Sequence, residues 1–375
     1  MRVVSTSGPP TVETIATRAG VSTASVSRVL NGHGARPETV RRVERAAAEL
    51  GYVPNAVARS LQGGRSRQLS VAVRDLRDPG HVAMVRAVQA VARAHGYRLV
   101  LHSTDTAADT AHAVADELDV LRGLADGTSD GLVLCPVHVT PEHVEALRTA
   151  AQPVVVLGAF PDGVEPPADG VRDDPAAGAE LAVRHLVRTG RRRVAFLDGP
   201  AGTAPGRDRH RGYRAALAAR GLTPDPALVA HADTTVEAGT RALHRLLDGP
   251  AGGGGRTGEG HGGGVDAVLC ADDRLALGAT HALHARGLRV PADVAVAGMG
   301  DSPLAEAGWP PLTSVDLGAA ERARIAAEML LARVAERDAG TARTPARTAT
   351  VAPRLAVRAS SAPPAPGARP PGVAT

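Results

Sequence analysis

From residue 69 onward, short β-forming runs alternate with amphipathic helical stretches, and this alternation limits the possible folds more than any other feature. The β-forming runs cover residues 69–73, 98–101, 131–135, 153–157, 193–197, 267–270 and 294–298. Helical stretches such as 82–95, 176–188 and 209–220 lie between them. Strands that alternate with helices form parallel sheets covered by helices. Seven such strands predict an α/β domain with two sheets.

The first 50 residues have a different, all-helical pattern. Apolar side chains repeat with helical spacing on two successive helices, at Val12, Ile15, Ala16, Ala19, Val26, Val29 and Leu30. Gly20 provides the left-handed residue that a tight turn requires, and Ser22 is the expected N-cap of the second helix. A third helix from Pro37 to Leu50 would close the core. The pattern predicts a helix-turn-helix, although two short helices around a glycine also occur in proteins that bind no DNA.

Positive charge is concentrated in the same region. Residues 1–67 contain ten Arg and four Glu, a net charge of +6, whereas the whole chain of 375 residues has a formal net charge of +4. The total charge is weaker evidence for nucleic-acid binding than this distribution. All 43 basic residues other than His are Arg and none is Lys, and a compositional bias of the whole chain would also produce this excess of Arg. An N-terminal excess of positive charge favours nucleic-acid binding by this region.

The two cysteines and the hydropathy pattern bear on the cellular compartment. Cys135 and Cys270 both lie in apolar β-forming runs, where we expect buried free thiols and no disulfide framework. The longest apolar runs are far shorter than a membrane span, and we see no secretory signal at the N-terminus. We therefore expect a cytoplasmic, nucleoid-associated protein without membrane contact.

Two segments near the N-terminus and four segments further along carry a family pattern. The first two are TVETIATRAGVSTASVSRVLN at 11–31 and ELGYVPNAVARSL at 49–61. The later segments are LVRTGRRRVAFLDGP, RDRHRGYRAAL, VDAVLCADDRLALGA and GLRVPADVAVAGMGD. In these segments the chain resembles the LacI family of bacterial transcription regulators. The resemblance implies a homodimeric, sequence-specific DNA-binding protein, most simply a repressor, that a small molecule regulates.

The resemblance also implies the domain organisation. We expect an all-α helix-turn-helix headpiece at 11–52, a hinge helix and linker at 53–67, and a two-lobe α/β effector domain of the periplasmic-binding-protein type at 68–361. Residues 1–10 and 362–375 are expected to be a disordered arm and tail. The glycine-rich stretch 249–264 is expected to be a flexible insertion, because it precedes a strand and lacks the Gly-Lys-Ser/Thr ending of a phosphate-binding loop.

The DNA-contacting residues are likewise implied by position within the family pattern. Thr23, Ala24 and Arg28 match the residues that contact bases, and the matching backbone contacts and hinge residues are Thr11, Ser22, Ser25, Asn31, Asn55, Ala58 and Leu61. Leu61 corresponds to the leucine that pairs of hinge helices insert into the minor groove, where it kinks the operator. Since Ala24 offers only a methyl group, Arg28 should dominate base discrimination.

For the effector cleft, the resemblance implies Arg209, three residues before the glycine of RHRGY, with Arg207 as a second candidate. Asp272 stands where relatives usually have Asn, so an acceptor replaces an amide. Asp301 is the remaining acid of a usual Asp-Asp pair. His81 stands where relatives usually have one of a pair of aromatic residues. A sugar or related metabolite is the expected effector, although the chain has only two Phe, three Tyr and one Trp for stacking on a sugar ring.

Other classes of function fit the sequence less well. The sequence GTSDG at 127–131 fits G-x-S-x-G, but it leads into a strand, whereas a hydrolase nucleophile follows one. His281 and His284 share a helix face without a further ligand in the sequence, so we expect no metal site and no cofactor. A solute-binding module without a transcriptional role would share the two lobes but would not need the headpiece. We expect a regulator and not an enzyme.

Overall fold

The computed structural model describes residues 10–30, 35–52, 65–104, 110–249, 264–341 and 344–362. The chain divides into two compact units. The first contains the residues up to Gln68 together with Asp126–Asp130, and the second contains all the others. Cys135 and Cys270 are buried free thiols, as the sequence predicts.

The first unit contains the three helices of the headpiece, α1 (Val12–Ala19), α2 (Thr23–Leu30) and α3 (Pro37–Glu49). One residue of each helix, Ile15, Val26 and Val43, is completely buried in their shared core. Gly20 ends α1 in the left-handed conformation with φ 63°, which confirms the turn predicted from the sequence. The Arg42 guanidinium donates to the carbonyl oxygens of Ala19 and Gly20 and ties α3 to this turn.

The first lobe of the second unit is built on a six-stranded sheet with strand order β11-β5-β4-β3-β1-β2. Its strands are β1 (Gln68–Val73), β2 (Arg98–Ser103), β3 (Leu132–Leu134), β4 (Val154–Leu157), β5 (Asp169–Arg172) and β11 (Thr348–Thr350). The helices of this lobe are α4 (Pro79–Ala94), α5 (Thr110–Gly123), α6 (Pro141–Arg148) and α12 (Ala319–Asp338). Buried valines and leucines of β1, β3 and β4 pack against Ala323, Ala326 and Leu330 of α12.

The second lobe has a six-stranded sheet with strand order β12-β10-β9-β8-β6-β7. Its strands are β6 (Val194–Asp198), β7 (Val229–His231), β8 (Ala267–Cys270), β9 (Ala295–Met299), β10 (Thr313–Asp316) and β12 (Arg354–Ala356). Its helices are α7 (Pro175–Arg188), α8 (Ala204–Ala218), α9 (Val236–Asp248), α10 (Asp273–Ala285) and α11 (Pro303–Ala307). α7 and α8 approach closely at Gly212, where a Cβ atom would lie 2.0 Å from the Ala176 carbonyl oxygen.

The chain passes between the lobes three times: after β5, after β10, and between β11 and β12. These crossings confirm the expected two-sheet α/β architecture, but the last strands were not predicted. β12 pairs antiparallel with β10, whereas the pairs formed by β6 to β10 are parallel. The short strands β5, β7, β11 and β12 lack a sufficient apolar run, so only their neighbours in the sheets define them.

Candidate DNA-binding surface and effector cavity

The outer face of α2 carries the side chains that the sequence assigns to base contacts. Thr23, Ala24 and Arg28 are exposed, while Val26 on the opposite face is completely buried. Ser22 Oγ accepts a hydrogen bond from the Ser25 main-chain N–H at 3.2 Å, which is the geometry of an N-cap. The helix is therefore held by its inner face and its N-terminus, and its outer face remains open to a partner.

Arg28 makes no hydrogen bond or ion pair with another described residue, unlike Arg18 and Arg42. Arg18 pairs with Glu49 at 2.7 Å, and Arg42 is bound to the turn at Gly20. Thr11 caps α1 through a capping box with Thr14 and is exposed at that end. Of the other proposed DNA-contacting residues, Asn31, Asn55, Ala58 and Leu61 lie outside the described residues.

In the second unit, a cavity of about 190 Å³ lies between the two lobes. It is located beyond the ends of β1 in one sheet and of β8 and β9 in the other, where open α/β sheets bind ligands. Its charged and polar lining includes Asp78, His81, Asp272, Asp273, Arg274 and Arg322. Met84, Met299 and Leu317 supply apolar contact surface.

Arg274 connects the lobes across this cavity. Its Nη2 atom is 2.9 Å from Asp78 Oδ2 of the first lobe, and its Nε is 2.8 Å from Asp272 Oδ2 of the second. Both aspartates are N-caps: Asp78 accepts from the Gly80 N–H of α4, and Asp272 accepts from the Leu275 N–H of α10. Each carboxylate is thus fixed by a helix terminus and neutralised by the same guanidinium.

Asp273 is a buried acid beside this pair. Its carboxylate accepts from Ser314 Oγ at 2.5 Å and from the Ser302 N–H at 2.7 Å. Burial raises the pKa of Asp273, and these hydrogen bonds only partly offset that effect. The contacts join β10 and the start of α11 to the N-terminus of α10, so Asp273 also shapes the wall of the cavity.

His81 lies in the first turn of α4, and its Nδ1 donates to the Asp75 carbonyl oxygen at 2.8 Å. Burial lowers the pKa of His81, but interactions with Cys135, the Asp78 carboxylate and the Asp75 carbonyl outweigh burial and raise the pKa to about 9. The imidazolium form is therefore favoured at the edge of the cavity.

The structure brings together His81 and Asp272 but places the other three sequence-predicted effector residues elsewhere. The lining of the 190 Å³ cavity does not include Arg209, Arg207 or Asp301. Arg209 donates twice to the buried Asp198, at 2.8 and 2.7 Å from its Oδ1. Arg207 donates to the Gly202 carbonyl and, together with Asp198, lines a separate cavity of about 230 Å³.

Asp301 is occupied in a different way. Its carboxylate accepts from Arg358 Nη1 at 2.6 Å, and its backbone has a left-handed φ of 46°. The neighbouring Gly300 and Ser302 line the cavity. Asp301 therefore helps to hold the wall of the cavity and does not line its interior.

Two arginines of the cavity were missed by sequence reasoning. Arg274 directly follows the Asp272-Asp273 pair at the end of a strand, and this position in the sequence could have identified it as a cavity residue. Arg322 lies in the first turn of α12, almost 50 residues further along the chain, and gave no signal of this kind. Its position in the cavity depends on α12 crossing back to the first lobe.

The other chemical motifs have structural roles. Ser129 of the G-x-S-x-G sequence is 2% exposed and donates to the Gln68 carbonyl, so it is not presented as a nucleophile. In the described part of the chain, no three His, Cys, Asp or Glu residues are grouped as metal ligands. The same part contains no helix that is long and apolar enough to cross a lipid bilayer.

A headpiece with an open helix face and a two-lobe α/β domain with an interlobe cavity define a ligand-responsive DNA-binding protein. Residues 11–55 match the family model described as "Bacterial regulatory proteins, lacI family", and residues 183–361 match the "Periplasmic binding protein-like domain". The chain is 35% identical to the HTH-type transcriptional regulator CelR of Thermobifida fusca, over 87% of this chain and 92% of CelR. It is 31% identical to the HTH-type transcriptional repressor CytR of Escherichia coli, over 81% of this chain and 84% of CytR.

Solved structures agree with these matches. The lac repressor dimer bound to operator and the anti-inducer ONPF superimposes with a TM-score of 0.78, at 25% identity over 94% of this chain and 99% of that one. A CelR–cellobiose complex superimposes with a TM-score of 0.66, at 32% identity over 94% and 99% of the two chains. The protein belongs to the LacI family and is a DNA-binding transcription regulator. These named relatives are transcription regulators rather than enzymes.

Proposed function

We propose that the protein is a cytoplasmic, non-catalytic repressor that binds a palindromic operator as a homodimer, and that a small metabolite in the interlobe cavity changes its affinity for DNA. The observation that carries the proposal is the occurrence in one chain of an open recognition helix, with Arg28 unpaired among the described residues, and a polar cavity lined by both lobes. CytR and the ribose operon repressor, both named as repressors, support the direction of regulation.

On the DNA, α2 would lie in the major groove. Arg28 would donate to O6 and N7 of guanine, and Ala24 would contact a thymine methyl group. Thr11, Ser22 and Ser25 would donate to phosphates near the helix N-termini, where the backbone also favours anions. Asn31, Asn55, Ala58 and Leu61 are proposed only from their positions in the family pattern, with Leu61 as the minor-groove wedge.

The homodimer is supported by exposed apolar side chains on the first lobe. Leu101 of β2 is 41% exposed, and Val82 of α4 is 39% exposed. β2 is also an edge strand, and an exposed edge is a template for pairing with another chain. A dimer would supply two headpieces, one for each half of a palindrome.

The proposed effector is a sugar or related metabolite held by Arg274, Asp272 and His81. CelR is named in complex with cellobiose, which supports a carbohydrate-related ligand for a relative of this fold. Arg209, Arg207 and Asp301 are retained as secondary candidates, because each would have to leave its present protein partner to reach a ligand. A change in lobe separation would then be transmitted to the headpiece with a coupling of typically about 1 to 3 kcal/mol.

Binding-site selection tests this function directly. The purified full-length chain would be incubated with a random double-stranded DNA library, and the selection repeated with sugars and other metabolites. We expect enrichment of a palindrome, its loss with Arg28→Ala, and a change in affinity with at least one metabolite. Recovery of DNA without a common sequence would contradict the proposal.

A further inference from the structure

The cavity between the lobes contains one buried charge that the protein itself pairs poorly. Arg322 lines the cavity, and its side chain is 8% exposed. The closest acid is Asp173, whose Oδ2 is 3.1 Å from Arg322 Nη2, and Arg322 Nε has no hydrogen-bond partner. Within the described residues, the guanidinium of Arg322 makes this one ion contact and donates no hydrogen bond.

Three other partly buried arginines in the same domain are much better paired. Arg209 and Arg333 are 12% and 13% exposed, and each donates two hydrogen bonds to a single carboxylate. Arg274 is 15% exposed and bonds to two carboxylates. Arg322 is therefore both more deeply buried and less satisfied than these three residues.

A buried guanidinium without a complete set of acceptors is energetically costly, so its missing acceptors need an explanation. The neighbouring acids are already committed, since Asp78 and Asp272 bind Arg274, and Asp273 accepts from Ser314 and Ser302. Within the described residues, no side chain completes the acceptors of Arg322, and a bound ligand is the group that would do so. An anion fits best, because charge-assisted bonds to a guanidinium are roughly twice as strong as neutral ones.

We propose that the effector carries a carboxylate that binds to Arg322, so that it is a sugar acid or similar small hydroxy acid and not a neutral sugar. This inference rests on the proposed function, in which the interlobe cavity is the effector site. The hydroxyl groups of such a ligand would donate to Asp78 and Asp272, and its carbon skeleton would contact Met84 and Met299. The cavity of about 190 Å³ is smaller than the roughly 300–1,000 Å³ of drug-sized sites, which favours a compound of monosaccharide size.

Three variants of the full-length protein separate binding from folding. Arg322→Met removes the charge and keeps apolar bulk, and Arg322→Lys keeps the charge without the planar donor pair. Arg324→Met is the matched control, because Arg324 lies on the same helix but is 43% exposed and pairs with Glu321 and Glu328. Glucuronate, galacturonate and gluconate are the acidic probes, with glucose and galactose as neutral counterparts at constant ionic strength.

Affinity by calorimetry and Tm by thermal unfolding give the readout. At least one acid should bind the wild type and Arg324→Met more tightly than its neutral counterpart, and Arg322→Met should bind that acid at least about tenfold more weakly. Arg322→Lys should keep part of the preference for the acid over its neutral counterpart. Without ligand, Arg322→Met should unfold at the same or a higher Tm, because it removes a poorly satisfied buried charge while Asp173, which is 24% exposed, can remain hydrated.

The inference is overturned if none of the acids binds the wild type better than its neutral counterpart, or if Arg322→Met binds the acids like the wild type. It is also overturned if ligand-free Arg322→Met has a lower Tm, because Arg322 would then serve the fold through Asp173. Operator selection by the wild type is scored separately, so that the regulator function can stand when the acid preference fails.

Discussion

Arg274 and Asp78 form an ion pair across the two lobes of the effector domain, with Nη2 2.9 Å from Oδ2. Arg274 shares its charge with Asp272 of its own lobe at 2.8 Å. Because each aspartate also caps a helix, one guanidinium connects the N-termini of α4 and α10. A ligand that bonds to Arg274 must compete with Asp78. The ion pair thus couples the relative position of the two lobes to ligand binding in the cavity.

A double-mutant cycle with Arg274→Gln and Asp78→Asn tests this pair. We expect a coupling free energy of about 1 kcal/mol in unfolding of the effector domain, because both groups are only partly exposed but remain within reach of solvent screening. The control cycle is Arg184 with Glu180, an exposed pair on α7 with 3.2 Å between Nη1 and Oε1, for which we expect about 0.3 to 0.5 kcal/mol. Additive effects of the two cavity substitutions would contradict a direct interlobe bond.

Arg28→Ala should reduce discrimination between operator variants more than it reduces non-specific binding. The expected loss is about 1 to 3 kcal/mol at the base pair that Arg28 contacts. Competition gel shifts with single-base operator variants measure it, and Arg18→Ala is the control because Arg18 pairs with Glu49. An equal loss of affinity on every sequence would show that Arg28 contacts phosphate only.

Gly20→Ala should reduce the protection of the headpiece against hydrogen exchange more than Gly51→Ala does. Both glycines have a left-handed backbone, with φ of 63° and 62°, so both substitutions carry the same backbone strain of about 1 to 2 kcal/mol. Only at Gly20 would the new Cβ meet another atom, Arg42 Nη2 at 2.6 Å, whereas nothing lies within 4 Å at Gly51. Hydrogen exchange of residues 11–52 in the full chain compares the two, and equal protection would contradict a specific role for the Arg42 contact.

His81 should make stability depend on pH in the alkaline range. Its folded-state pKa is raised from 6.5 to about 9, so its stabilising contribution is complete below about pH 6.5 and is lost as the pH rises through about 9. Denaturant unfolding from pH 6 to pH 10 should show this decline in the wild type and a flatter profile in His81→Gln. The exposed His281→Gln serves as control; identical profiles for the wild type and His81→Gln would rule out the effect.

Much of the fold could be predicted from local sequence. The buried Ile15 and Val26, the left-handed Gly20 and the predicted runs that became β1, β3, β4, β6, β8 and β9 follow from apolar spacing and turn chemistry. The position of Asp272 at the end of a strand was equally readable. These features depend on residues that are close together in the chain, and local preferences alone specify them.

The sequence by itself thus determined the helix-turn-helix, the alternation of strands and helices, and the acidic side of the cavity. Only the tertiary structure decided which acid each arginine binds: Arg209 is held by Asp198, while Arg274 reaches Asp78 in the other lobe, 196 residues away. It also placed Arg322 in the cavity, because α12 returns to the first lobe after the second sheet is nearly complete. Ion pairs between distant segments depend on distances that no local pattern encodes, and therefore the chemistry of the cavity appears only after the lobes are assembled.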